Sequence, residues 1–213
     1  MKTITITLAL LLACAGASMA QEWELGGMAS YGFYRNLVAS NPLGSATAGF
    51  SPGTAFGAVI GHSSGGRLSG EFRYTYRDSD LELSSGGATA KFNGMAHIIH
   101  YDLVLHPRMK RGSKIQPFLA VGGGMKLYRG TGQESAYQPL QEIALLTKTQ
   151  QVKPLISVGG GIKMILGPRV LLRAEVRDYI TTFPRDVIVP IPETKVGRWL
   201  NDFVPMLGIS YIF

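Results

Sequence analysis

The stretch that decides the fold is the end of the chain, D-F-V-P-M-L-G-I-S-Y-I-F, residues 202–213. Successive side chains of an extended strand point to opposite faces, so one face of this stretch is apolar and ends in two aromatic residues. That face carries Phe203, Pro205, Leu207, Ile209, Tyr211 and Phe213. An unpaired apolar strand invites aggregation in water, whereas a closed barrel in a bilayer pairs the strand and solvates its apolar face. The stretch therefore predicts a membrane-spanning β-barrel.

The same residues carry a resemblance. Met206, Gly208, Tyr211 and Phe213 resemble the C-terminal assembly signal of bacterial outer-membrane β-barrels, in which a glycine and two aromatic residues precede or form the chain end. The resemblance implies that Gly208, Tyr211 and Phe213 are read by the barrel-assembly machinery. A C-terminal core strand of a soluble β-sandwich is the alternative.

Composition is typical of one β-rich domain with many turns. The chain has 213 residues, of which 46% are hydrophobic and 16% charged, with 27 glycines. After residue 20 no apolar stretch is long enough for a membrane-spanning helix, so any crossing is made by strands. The net charge is +7, but acids are interspersed with the bases and no long basic run occurs. This pattern argues against nucleic acid as a partner.

The N-terminus has the features of a secretory signal. A basic start at Lys2 precedes an apolar segment, and the small residues Ser18 and Ala20 follow it. We expect a signal peptide at residues 1–20, cleavage near Ala20, and a barrel at residues 21–213. The single cysteine, Cys14, lies within the signal, and residues 11–14 resemble a lipoprotein cleavage box, so a lipidated Cys14 is the alternative.

Alternating segments predict eight strands whose connections alternate between long and short. The predicted strands are residues 22–35, 54–62, 67–77, 88–105, 114–128, 152–165, 169–179 and 202–213. The predicted long loops are residues 36–53, 78–87, 129–151 and 180–201. Short turns at one end and long loops at the other are typical of an outer-membrane barrel, with both termini in the periplasm.

The second face of several strands carries charges that we expect inside the barrel. They are Glu71, Arg73, Arg77, Lys126, Lys163, Arg173, Glu175 and Arg177. The interior of an eight-stranded barrel is just wide enough for its own side chains, so these groups should pair across the lumen as a charge network that plugs it. A gated ion pathway is the alternative, and the excess of bases over acids among the eight favours anions.

No catalytic, metal or cofactor site follows from the sequence. His97 and His100 fall on opposite faces of a strand and cannot share a metal. The best catalytic candidate is His100 beside Asp102, which could orient a base for a serine such as Ser69 or Ser157. The glycine triplets at residues 122–124 and 159–161 lie inside strands, where they predict bends or close approach of neighbouring side chains.

The eight-strand pattern, the repeated P-x-x-x-x-G-G-G of residues 117–124 and 154–161, the R-x-E-x-R of residues 173–177 and the terminal Phe213 together resemble the OmpA-like family of eight-stranded barrels, barrel domain only. The resemblance implies an all-β, antiparallel, up-and-down transmembrane barrel in the outer membrane, in contact with its lipids and lipopolysaccharide. We expect a non-enzymatic structural or surface-interaction role, with the long loops facing external ligands. A narrow ion channel, an outer-membrane lipid-modifying enzyme and a soluble ligand-binding barrel are the alternatives.

Overall fold

A computed structural model describes residues 22–63, 66–107 and 113–213. The predicted signal segment with Cys14 and most of the short basic turn after residue 107 lie outside the described residues. Within the described part of the chain no helix is long and apolar enough to cross a membrane.

Strands make up most of the described chain. In order they are β1 (Glu22–Arg35), β2 (Leu37–Asn41), β3 (Gly44–Phe50), β4 (Gly53–Ser63), β5 (Leu68–Asp78), β6 (Leu81–Ser85), β7 (Ala88–Phe92), β8 (Gly94–Leu105), β9 (Ile115–Gly130), β10 (Ala144–Leu146), β11 (Gln150–Ile165), β12 (Val170–Thr182), β13 (Ile188–Pro190), β14 (Lys195–Val196) and β15 (Trp199–Ile212).

Eight of these strands close into a barrel in the order β1-β15-β12-β11-β9-β8-β5-β4, and all neighbours are antiparallel. The ends of the barrel sequence meet where Trp23 and Phe213 exchange backbone hydrogen bonds of 3.0 and 2.9 Å. The predicted fold class, an all-β eight-stranded antiparallel barrel, is confirmed. The C-terminal strand, on which the prediction was based, completes the closure.

The barrel has one end with short connections, after β4, β8 and β11, and one end with long connections, after β1, β5, β9 and β12. We name these the turn end and the loop end. The alternation of connection lengths expected from the sequence is therefore present. Both the start of β1 and the end of β15 lie at the turn end.

The barrel is apolar outside and largely polar inside. Along β15 the outward Leu207 and Ile209 are 69% and 55% exposed, whereas the inward Asp202, Val204 and Met206 are buried. This is the reverse of a water-soluble barrel, in which apolar side chains point inward. The outer wall therefore suits a hydrocarbon solvent.

The long connections differ from the prediction of irregular loops. They contain β2, β3, β6, β7, β10, β13 and β14, which form a five-stranded sheet in the order β14-β2-β3-β6-β7 and a separate β10-β13 pair. The predicted strand at residues 88–105 is also wrong as one element, because it breaks at Asn93 into β7, which joins the five-stranded sheet, and β8, which joins the barrel. We call the two sheets and their connections the cap.

A hydrophobic core holds the cap on the loop end of the barrel. Its buried members come from all four long connections and from the adjacent barrel strands. They are Ala39, Ala46, Ala48, Phe50, Leu81, Leu83, Ala90, Phe92, Ala96, Tyr128, Ile143, Ala144, Leu146, Phe183, Val187, Ile188 and Leu200. Burial of this apolar surface gives the long connections a fixed structure that isolated loops lack.

Candidate functional site: the barrel lumen

The lumen contains two charged groups of side chains, separated by an apolar layer. The turn-end layer consists of the acids Glu24, Glu71, Asp102 and Glu175 and the bases Arg73, Lys163, Arg173 and Arg177. The loop-end cluster consists of Arg77, Lys126 and Asp202 with Tyr34. Between them lie Met28, Val59, Ile98, Leu155, Tyr179, Val204 and Met206.

Glu71 is the centre of the turn-end layer. Its carboxylate oxygens lie 2.7 Å from Arg73 Nη2, 2.7 Å from Arg173 Nη2 and 2.9 Å from Lys163 Nζ. Glu24 accepts further contacts from Lys163 at 2.6 Å and from Arg173 at 3.1 Å. The bases thus bridge two carboxylates each, which links strands on opposite sides of the lumen.

The same layer continues toward the apolar region through Glu175 and Asp102. Arg73 Nη1 lies 2.5 Å from Glu175 Oε1, and Arg177 contacts both Asp102, at 2.7 Å, and Glu175, at 3.2 Å. Every carboxylate of the layer has a cationic partner, and each base has at least two. In a low-dielectric interior such geometry offsets the cost of removing the charges from water.

Inward glycines make room for these long side chains. A Cβ on Gly161 would lie 2.6 Å from Glu175 Cβ, and one on Gly159 would lie 2.6 Å from Arg177 Cδ. On β9, a Cβ on Gly122 would overlap Asp102, and one on Gly124 would lie 2.6 Å from His100 Cβ. The glycine triplets therefore lie beside the strands that carry the charges, and the side chains of β8 and β12 lean over them.

The loop-end cluster lies under the cap. Asp202 accepts a hydrogen bond from Lys126 Nζ at 2.6 Å and lies 3.2 Å from Arg77 Nη2. Arg77 Nε donates to Tyr34 Oη at 3.2 Å. Phe50 of the cap lies above the cluster, with its ring centroid 4.9 Å from that of Tyr34. The hydrophobic core of the cap is thus in direct contact with the loop-end cluster of the lumen.

A cavity of about 790 Å³ opens at the turn end. Among the residues that line it, Glu24, Glu71 and Lys163 lie farthest from the turn end along their strands. All three belong to the turn-end layer, so the cavity ends where the ion pairs begin. It is a vestibule on one side of the lumen.

Sequence reasoning placed eight charged residues in the lumen, and the structure brings all eight there, buried and ion-paired. It did not include the acids Glu24 and Asp202, nor Asp102, which it named only as a partner of His100. Their positions on inward faces of alternating strands were the available signal. With these acids, the two charged groups together hold six bases and five carboxylates, whereas the eight residues singled out from the sequence are six bases and two acids.

The candidate base His100 is inside the turn-end layer and 1% exposed. Its Nδ1 lies 3.1 Å from Asp102 Oδ1, as the sequence indicated, but its Nε2 contacts Tyr179 Oη at 3.2 Å. Neither candidate serine hydrogen-bonds to it, because Ser69 pairs with His106 at 3.1 Å and the buried hydroxyl of Ser157 has no hydrogen-bond partner among the described residues. The two ring nitrogens of His100 are therefore both in contact with other groups, Asp102 and Tyr179.

Metal ligands are not grouped in the described ranges, where no three His, Cys, Asp or Glu side chains are placed to hold an ion. Two residues of the proposed assembly signal are on the outer wall, and the third, Gly208, is paired with Arg173 in the register of β15 and β12. Tyr211 and Phe213 are outward and 44% and 65% exposed, with ring centroids 6.4 Å apart. Gly208 faces the lumen, where a Cβ would lie 2.8 Å from Met28 Cγ.

No family model matches the chain, and no curated protein matches it. Solved structures do. Neisserial surface protein A is 15% identical, with a TM-score of 0.53 over 90% of this chain and 97% of that one. The outer membrane protein OprG from Pseudomonas aeruginosa is 13% identical, with a TM-score of 0.56 over 91% of this chain and 96% of that one. The chain therefore has the eight-stranded barrel fold of small outer-membrane proteins.

Proposed function

We propose that this chain is a non-enzymatic outer-membrane barrel whose lumen is closed and whose cap is a preformed surface for external partners. The observation that carries the proposal is the double closure of the lumen, by the ion pairs of the turn-end layer and by the cap core above the loop-end cluster. A conducting pore needs a continuous aqueous path, and buried, mutually bridged charges leave none.

The outer wall supports a location in a bilayer. Tyr31 and Phe33 are outward at the loop end, and Tyr211 and Phe213 are outward at the turn end. Aromatic residues in two such girdles are typical of the interfaces on either side of a membrane-spanning barrel. The apolar band between them would contact lipid chains, and the loop end would face the cell exterior, after signal cleavage near Ala20.

The cap supports the surface role. Its strands are already ordered, so a partner would not have to supply the free energy that ordering a loop costs. Val38, Leu43 and Tyr137 are 64%, 74% and 70% exposed on it. Exposed apolar and aromatic side chains on a rigid scaffold are common anchors of protein interfaces.

The first experiment refolds residues 21–213 into detergent micelles and compares gel mobility with and without boiling. We expect a shift on boiling, together with β-type circular dichroism before it. The refolded protein is then added to a planar bilayer, where we expect no steady conductance. A protein that folds in plain buffer, without detergent or lipid, would contradict the membrane location.

The bilayer measurement also separates the closed lumen from a channel. Conductance that changes when Arg173 or Arg177 is neutralised would overturn the closed-lumen proposal, because both side chains belong to the turn-end layer.

Limited proteolysis of the refolded protein tests the cap independently. We expect its long connections to resist cleavage under conditions that digest a flexible loop.

A further inference from the structure

The loop-end cluster holds more positive than negative charge. Arg77 and Lys126 share a single carboxylate, that of Asp202, and all three side chains are 0% exposed. In the described ranges of the chain no other carboxylate is in ion-pair contact with either base. One buried positive charge is therefore left without a counter-charge.

A neighbouring lysine increases the imbalance. Lys153 is directly opposite Lys126 in the register of β9 and β11, so it lies on the same inward face, where it is half-buried. Like charges opposite one another on one face of a sheet repel. The turn-end layer differs, because its four acids and four bases are equal in number. The excess charge is thus a property of the loop-end cluster.

Aromatic rings contact both bases of the loop-end cluster. The Tyr34 ring centroid is 4.5 Å from Arg77 Cζ and 4.7 Å from Lys126 Nζ, and that of Tyr128 is 5.0 Å from Lys126 Nζ. Such contacts stabilise a cation. The rings carry no net charge, however, and an unpaired buried ion is strongly unfavourable. They stabilise the cations but do not neutralise the cluster.

Arg77 also has a donor without an acceptor. Its Nη1 is buried and has no hydrogen-bond acceptor among the described residues, whereas Nη2 lies 3.2 Å from Asp202 Oδ1. The positions beside it in the register of the neighbouring strands are Ala55 and Ala96, both small, and a Cβ on Gly32 would overlap Nη1. Nη1 is therefore surrounded by small residues and is free to donate to a bound group.

We propose that the loop-end cluster binds a small monovalent anion such as chloride, held by Nη1 of Arg77 and by the charge of Lys126. The anion supplies the missing negative charge and accepts the unused hydrogen bond of Nη1. Phe50 of the cap covers the site, so the anion is taken up as the barrel and cap close.

The test compares refolding in sodium chloride with refolding in sodium gluconate at the same ionic strength. We expect the urea midpoint of the folded barrel to rise with chloride concentration along a saturating curve, because a ligand that binds the folded state alone stabilises it by mass action. Gluconate is much larger than chloride, so a site for a small anion should not take it up and we expect no such rise. Crystals grown in bromide should show an anomalous peak within hydrogen-bond reach of Arg77.

Three variants locate the effect. Lys126→Met leaves Arg77 and Asp202 as a balanced pair, so the chloride dependence should disappear. Asp202→Asn increases the excess charge, so half-saturation should move to a lower chloride concentration. The matched control is Lys163→Met in the turn-end layer, which should lower the midpoint in both salts and keep the chloride dependence.

Equal midpoints in the two salts, together with no bromide peak in the wild-type crystal, would overturn the proposal. So would a chloride effect that persists in Lys126→Met, since it would place the anion elsewhere. The bromide experiment uses the wild-type chain, so the proposal can be rejected even if a variant does not fold.

Discussion

The barrel and the cap are built from the same antiparallel strands, yet their polarity is opposite. The barrel buries Glu71 and exposes Leu207, whereas the cap buries Leu83 and exposes Lys91. The surrounding solvent therefore decides which face of a strand is apolar. A bilayer stabilises apolar side chains on the outside of the barrel, so the polar side chains face the narrow lumen and pair there. The cap is surrounded by water and needs an ordinary hydrophobic core.

The largest expected loss of stability comes from a substitution inside the barrel. Glu71→Gln removes the charge that Arg73, Arg173 and Lys163 share. Because buried bases then lack part of their counter-charge, we expect a loss of about 3–5 kcal/mol in the free energy of unfolding. Urea titration of the refolded barrel in micelles, followed by the gel shift, measures it.

The control for that change is the exposed ion pair of the cap. Lys91 Nζ lies 3.4 Å from Glu82 and its side chain is 59% exposed. Lys91→Gln should cost less than about 1 kcal/mol, since water screens and replaces such a pair. Equal losses in the two variants would refute the view that the lumen charges are the more strongly coupled.

The next change tests the outer face. Leu207→Arg places a charge near the middle of β15 on the outer wall, where a bilayer predicts a cost of about 2–4 kcal/mol. Leu43→Arg is the matched control, because Leu43 is 74% exposed on the cap and should accept a charge at little cost. Unfolding measured in lipid vesicles distinguishes them, and a harmless Leu207→Arg would contradict the bilayer location.

A smaller effect tests the packing of the lumen. Gly161→Ala inserts a methyl group 2.6 Å from Glu175 Cβ, so we expect a loss of about 1–3 kcal/mol from overpacking. Gly27→Ala is the control on the outer wall, where no atom lies within 4 Å of the added Cβ. The urea midpoint of Gly161→Ala should therefore be lower than that of Gly27→Ala. A loss confined to Gly27→Ala would show that the inward glycines are not needed for space.

The smallest expected effect concerns His106, the residue after β8 at the turn end. Burial, followed by the charge of Lys163, lowers the pKa of His106 below its ordinary value. A lowered pKa means that the unfolded state binds the proton more readily, so this contribution to stability is present above about pH 6.5 and declines as the pH falls toward the folded-state pKa. Urea midpoints between pH 7.5 and 5 should fall less in His106→Gln than in the wild type. An identical pH profile would exclude His106 as a source of the decline.

The cap shows where sequence reasoning failed. The segment at residues 36–53 was interpreted as a polar loop because Pro42, Gly44 and Pro52 interrupt it. In the structure Asn41 Oδ1 accepts hydrogen bonds from the backbone of Leu43 and Gly44, which forms a tight turn between β2 and β3. Turn residues flanked by short apolar segments were the signal of a hairpin. The partners of that hairpin, β6 and β14, are too distant in sequence to be inferred from it.

Sequence reasoning predicted more of the lumen than of the cap. Period-two alternation assigns a side chain to one face of a strand, and the apolar exterior identifies the other face as the interior. This reasoning found Arg73 and Glu175, but it could not pair them, since they are 102 residues apart and meet across the barrel. It also overlooked Glu24 and Asp202, each of which is the one buried charged residue of its strand.

The sequence by itself determined the number of barrel strands, the inward face of the strands that carry the charges and the alternation of short and long connections, because each depends on neighbours within a few residues. It did not show that the segment at residues 88–105 divides between the cap and the barrel. Tertiary structure alone decided which charges pair, how the long connections assemble into a cap, and that Arg77 and Lys126 share one carboxylate. These features depend on the closure and stagger of the barrel, which bring distant strands together at heights that no local pattern specifies.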